Sequence, residues 1–158
     1  MNRVVIKPAT RRDLSFVAAN LSDEDKAEIY CQMDKPDNRL IAEMAYQGSP
    51  LWRYVAWLDG QPVLAFGVGL FHSRLGLAWA WGTSHKLRAF PDATRYMLDV
   101  VKPACVASGI ARIHADALST HSSAHKWLVR LGAHREAVMP SLGLGGETFY
   151  RYAWINEE

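Results

Sequence analysis

Apolar positions change their spacing several times along this chain, and each change marks an element. Residues 3–9, Arg-Val-Val-Ile-Lys-Pro-Ala, predict a first strand. Pro8 ends it, because proline has no N–H to give a ladder. Thr10 then stands as a helix N-cap, and Leu14, Val17, Ala18 and Leu21 recur at helical spacing. Ser22 predicts the cap of a second helix, with Asp23, Glu24 and Asp25 at its positive end. Ile29, Tyr30 and Met33 mark its apolar side, and Lys35-Pro36-Asp37-Asn38 breaks it. Leu40, Ile41, Met44 and Ala45 predict a further short helix, closed by Gly48 and Pro50.

The period then shortens. Trp52–Leu58 and Pro62–Leu70 flank Asp59-Gly60, a hairpin turn signal. His72-Ser73-Arg74 turns into a strand over Leu75–Thr83. There Leu77, Trp79 and Trp81 alternate with Ala78, Ala80 and Gly82. One face of that strand is bulky and the other bare, which predicts something packed closely on the bare face. Phe90, Ala93, Met97, Val100, Val101 and Ala104 return to helical spacing, with Pro103 expected to kink or restart the helix and Gly109 to close it. Ala111–Leu118 predicts a strand. Ala124, Trp127, Leu128 and Leu131 predict a helix with Gly132 as its C-cap. Two strands follow, about 133–140 and 147–155, across a Gly143–Gly146 turn.

Composition narrows the class. The chain has 158 residues, enough for one domain with its own core, and the expectation is a single domain over 1–158. Eighteen Lys+Arg against sixteen Asp+Glu leave a net +2, which gives no electrostatic footprint for nucleic acid. A hydrophobic share of 49% with 22% charged residues excludes a disordered chain. No apolar run approaches the roughly 18 residues a membrane helix needs. The opening MNRVVIKPATRRDL is too short and too charged for a signal peptide. Cys31 and Cys105 form no disulfide framework, which points to a reducing, cytoplasmic setting.

The element order matches that of the GCN5-related N-acetyltransferase (GNAT) fold. Ile113-His114-Ala115-Asp116-Ala117-Leu118, then His121 through Leu131-Gly132-Ala133, resembles the strand–helix–strand motif B of that family. The resemblance implies a mixed, mostly antiparallel α+β sheet of six to seven strands, with helices on both faces and one parallel strand pair. Trp81-Gly82-Thr83-Ser84 and Trp127-Leu128-x-x-Leu-Gly132-Ala133 also resemble a group of short-tailed-phage proteins with a GNAT-like fold, some of them internal virion or assembly proteins. If the chain is phage-encoded, its place is the host cytoplasm or the virion.

The resemblance implies an acetyl-CoA site. It places backbone groups of Trp81, Gly82 and Thr83 along the pantetheine arm, with His121 at a position where many members have Asn. Two departures weaken that implication. Active members carry a glycine-rich loop whose N–H groups cradle the pyrophosphate. Here the loop is Ser84-His85-Lys86-Leu87-Arg88-Ala89-Phe90-Pro91-Asp92, with no glycine between Gly82 and Gly109. Lys86 and Arg88 are either a substitute phosphate grip or two solvated loop charges. At Leu128 many members have a Tyr acting as general acid, a role typically worth about 10²–10⁴ in rate.

His114 and Asp116 lie two apart on one strand and share a face. They are candidate acid/base residues where the sheet splays, or else a pair satisfied by their neighbours. His121 and His125 have i, i+4 spacing but no third ligand in register, so no metal is expected. Cys105, Trp79 and Trp81 read as core. Two functions stay open. One is acetyl transfer from acetyl-CoA to a small-molecule or protein amine, with His114 or Asp116 as base. The other is a non-catalytic GNAT-fold protein acting in virion assembly or binding a phage or host protein. Neither needs nucleic acid or a membrane.

Overall fold

The computed structural model describes residues 3–156; the ends of the expected 1–158 domain lie outside them. Seven strands form one sheet: β1 (Val4–Pro8), β2 (Trp52–Leu58), β3 (Gln61–His72), β4 (Leu75–Gly82), β5 (Arg112–Leu118), β6 (His134–Met139) and β7 (Phe149–Ile155). Their order across the sheet is β1-β2-β3-β4-β5-β7-β6, and every neighbouring pair is antiparallel except β4 with β5. That parallel pair requires a crossover. The chain supplies it with α4 (Phe90–Tyr96), a π-helical turn at Met97–Val101 and α5 (Lys102–Ala107). Pro103 sits in the first turn of α5, where its missing N–H costs nothing, and the π turn absorbs the change of register just before it.

Helices cover both faces. α1 (Arg11–Ala19) and α3 (Asn38–Gly48) lie on one, where Leu14, Val17, Ile41 and Ala45 meet Val55, Ala65 and Trp81. Thr10 caps α1 through a capping box with Asp13, and Asp37 caps α3. The other face packs α4 and α6 (Ser122–Arg130) on Leu64 and Phe66. α2 (Asp23–Tyr30) differs: its one buried residue is Asp25.

The bare face of β4 departs from the expectation of close packing. Ala78 and Ala80 instead wall a cavity under α4 and α6. The small residues that should invite a neighbour leave space, because the aromatic pair Phe90 and Trp127 bridges the two helices above them at 4.5 Å between ring centroids.

α6 ends as its sequence predicts. Gly132 has φ +87, and its N–H together with that of Ala133 closes the last turn onto Val129 and Leu128. Trp127 is 7% exposed and donates from Nε1 to Thr94 Oγ1 at 2.8 Å. Trp127→Ala is expected to lower unfolding free energy by about 3–5 kcal/mol in urea titration, since it opens a large void and orphans the Thr94 contact. A loss below about 1 kcal/mol would mean that the α4–α6 contact is not a core contact.

Candidate functional site

β4 and β5 pair through Leu75–Arg112, Gly76–Ile113 and Leu77–His114, and no further. Beyond that point the strands part and leave a wedge in the sheet. Strand alternation sends the N–H and C=O of Trp79 and Trp81 to β3, so those of Ala78, Ala80 and Gly82 face the wedge. A cavity of about 190 Å³ occupies it, walled by Leu64, Phe66, Ala80, Ala117, Trp127 and Leu128. On the opposite face a groove runs over Phe71, Leu77, His114, Asp116 and Arg151. Cavity and groove share Ala78, Ala115 and Asp116.

Asp25, Lys86, His121 and Glu28 close the wide end of the wedge, with Glu24 beside them. One carboxylate oxygen of Asp25 accepts from Ser22 Oγ at 3.0 Å, from Gly82 N–H at 2.8 Å and from Lys86 Nζ at 2.9 Å. Lys86 Nζ lies 3.4 Å from His121 Nε2. His121 Nδ1 meets Glu28 Oε2 at 2.6 Å, and that oxygen also accepts from Leu118 N–H at 3.0 Å. Glu24 lies 3.6 Å from His121 Nε2. Asp25, Lys86 and His121 are 2%, 4% and 5% exposed. Burial alone would lower the His121 pKa, but the hydrogen bond and charge of Glu28, with Asp25 behind it, outweigh burial and Lys86 and raise it.

Several sequence-predicted residues therefore have placements their sequence did not announce. Lys86 is neither a solvated charge nor a free phosphate grip: it points inward and is ion-paired. Arg88 is exposed. Gly82 does allow close approach, but to the Val63 carbonyl oxygen and the Lys86 Cβ, which would lie 2.5 and 2.7 Å from a Cβ built at Gly82. The backbone of Gly82 is engaged on both sides, its C=O accepting from Ser22 N–H at 2.8 Å. Trp81 pairs with Ala65, and Thr83 N–H donates to Val63 C=O. In the loop, the N–H groups of His85, Lys86 and Arg88 donate to Thr83 Oγ1, Thr83 C=O and His85 C=O.

His114 and Asp116 do share a face, and His114 stands where the strands part. Each is engaged. Arg151 holds Asp116 with two hydrogen bonds at 2.8 and 3.0 Å. Arg112, itself paired with Glu136, donates to His114 Nδ1 at 3.2 Å. Burial and the nearby Arg151 and Arg112 charges lower the His114 pKa. His125 bridges Tyr152 Oη and Leu118 C=O inside the fold. The Cys105 thiol is pushed up to about 11 by burial, as suits a packing residue.

Asp25 and Glu28 are the residues of this candidate site that sequence reasoning passed over. One signal was present: Asp25 stands four residues before Ile29, in phase with the apolar side of its helix.

The His121 network has a pH signature. Its folded-state pKa lies above the unfolded value near 6.5, so its stabilisation is complete below that value and is lost as pH rises through the raised pKa. The thermal midpoint is expected to fall as pH rises from about 6 through the raised pKa, and to fall less in Glu28→Gln. Equal slopes in the two proteins would contradict the assigned partner.

No family model matches this sequence, and no curated protein is significantly similar to it. Solved structures are similar in fold. Ard1 from Thermoplasma volcanium superposes with a TM-score of 0.74 at 12% identity, covering 98% of this chain and 99% of that one. YncA from Salmonella typhimurium, solved with its cofactor acetyl-CoA, gives 0.72 at 14% identity over 98% of this chain and 95% of the other. A GNAT-family acetyltransferase from Bacillus anthracis gives 0.66 at 18% identity over 99% and 96%. This chain thus shares its overall fold with GNAT-family acetyltransferases.

Proposed function

We propose that this chain is an acyl-CoA-dependent N-acetyltransferase with a weak grip on its donor. One observation carries the reading: an apolar cavity on one side of the sheet and a polar groove on the other meet at Ala78, Ala115 and Asp116. A reaction that joins two substrates needs such a meeting point, because fixing both reactants removes much of the entropy cost of their encounter.

The wedge fits the arm of acetyl-CoA: Ala78 and Ala80 turn backbone donors and acceptors toward it, and β5 does not pair with them. Bound there, acetyl-CoA would supply an activated thioester. The two alanines would hold its amide groups by strand-like hydrogen bonds, and Lys86 and Arg88 would supply the charge near its phosphates. Asp116, which lines both cavity and groove, would anchor the acceptor's ammonium and take its proton, with Arg151 fixing the carboxylate. His114 would serve as base only after Arg112 releases Nδ1. Leu128 offers no proton at the cavity wall, so the leaving thiolate would draw its proton from solvent.

A second reading is favoured by the closed mouth of the wedge. A GNAT-fold protein without catalysis, used in virion assembly or in binding a phage or host protein, has no need of the phosphate cradle. Such a protein can spend the loop N–H groups on its own carbonyls, as this loop does.

Titration calorimetry with acetyl-CoA separates them. Without a glycine nest, the first reading expects a Kd on the order of 0.1–1 mM, roughly −5.5 to −4 kcal/mol. Binding should weaken as salt rises, because an exposed charge such as Arg88 is screened. Absence of binding at millimolar acetyl-CoA would leave the non-catalytic reading. A low-micromolar, salt-independent Kd would show that the loop rearranges into a full cradle.

A further inference from the structure

We propose that Asp25 is a built-in competitor for the donor site, and that α2 is a lid which this residue latches shut. The inference rests on the acyltransferase reading above. The free edge of β4 offers wedge-facing backbone groups at Ala78, Ala80 and Gly82. The first two open onto the cavity. The third is taken, because Ser22 and Asp25 at the start of α2 bind its C=O and N–H as a paired strand or an extended ligand would. The chain thus lays its own polar groups along the outer end of the edge that an acyl-pantetheine arm would follow.

The charge at that end is spoken for in the same way. Lys86 is the cation nearest the wedge mouth, and its ammonium faces Asp25 rather than solvent. A carboxylate oxygen that accepts from one ammonium and one backbone N–H does what a phosphate oxygen would do between the same two donors. Asp25 and a phosphate-bearing donor therefore exclude one another. The lid is suited to moving. Asp25 is the only fully buried residue of α2; Glu28 to Leu118 N–H and His121, and Glu24 to Ser123 Oγ, add polar ties, while Ile29 and Tyr30 at its C-terminal end pack half-buried against the α1/α3 core. Polar ties of this kind release when an anion of matching chemistry replaces one of them, so the opening is a movement of the start of α2 about the apolar contacts of Ile29 and Tyr30. Donor binding then carries the cost of unlatching, which lowers the apparent affinity by the fraction of molecules with the lid open.

The test is acetyl-CoA calorimetry on wild type, Asp25→Ala, and Asp25→Ala combined with Lys86→Met, each checked for native circular dichroism. The latch expects Asp25→Ala to bind at least about tenfold tighter than wild type, and the added Lys86→Met to remove that gain. Measurable wild-type binding with no gain in Asp25→Ala overturns the latch and leaves the acyltransferase reading standing. No binding by wild type or by folded Asp25→Ala at millimolar ligand overturns both. Should Asp25→Ala fail to fold, Asp25→Asn carries the test, since it keeps the side-chain shape and removes the charge. A gain of at least about threefold is then expected, and no gain overturns the latch.

Discussion

Everything distinctive in this molecule follows from two parallel strands that stop pairing halfway. β4 and β5 hold register only as far as Leu77 and His114, and the sheet must then accommodate a gap in its middle. Buried backbone N–H and C=O groups need partners, so a gap between strands is costly unless something fills it. The inner part is left as a cavity, because Ala78, Ala80, Ala115 and Ala117 are too small to close it. The outer part is closed by side chains from α2, the β4–α4 loop and the segment leading into α6.

Those side chains carry charge, and that determines how the closure behaves. A buried ion pair adds little net stability compared with apolar packing, but its halves depend on each other: removal of one leaves the other uncompensated. Asp25 has three donors on one oxygen, and Lys86 has Asp25 beside it with His121 on its other side. An apolar plug would seal the wedge permanently. An ionic one is exchangeable for another anion, and that property links the two readings of function. The chemistry that spoils the phosphate cradle in the resting protein is the same chemistry that a phosphate could displace.

Much of the architecture was legible in the chain. The elements came from local periodicity, and their ends are marked by local features, the capping box at Thr10 and the positive-φ positions Asp59-Gly60 and Gly132. The wedge mouth was not legible in the same way. Lys86 and Asp25 are 61 residues apart, and Glu28 and His121 are 93 apart, so no window of sequence contains both members of either pair. Read locally, Asp25 is one of three acids at a helix start and Lys86 is one of two bases on a loop. Each reading is reasonable for an isolated residue, and each is overturned by tertiary packing. The cavity under the bare face of β4 was hidden for a related reason. Alanine alternation announces a bare face, but whether a neighbour descends onto it depends on Phe90 and Trp127, whose stacking holds α4 and α6 above it. His114 and Asp116 share a face beside the splay; Arg112 engages His114 from two residues earlier on β5, whereas Arg151 reaches Asp116 from β7 by cross-strand register.

The most direct test of the account is the exchange of the Gly82 amide hydrogen, followed residue by residue by NMR in the ligand-free protein. Gly82 lies at the end of a strand on the side where no strand pairs with it, and its N–H is held by a side chain 57 residues away. The latched wedge predicts that this amide is protected to a degree comparable with interior β4 amides such as Trp81, and that Asp25→Ala removes the protection while leaving Trp81 slow. Exchange of Gly82 in the wild-type protein as fast as that of the exposed loop residue Ser84 would mean that Asp25 does not close the wedge, and would contradict the account.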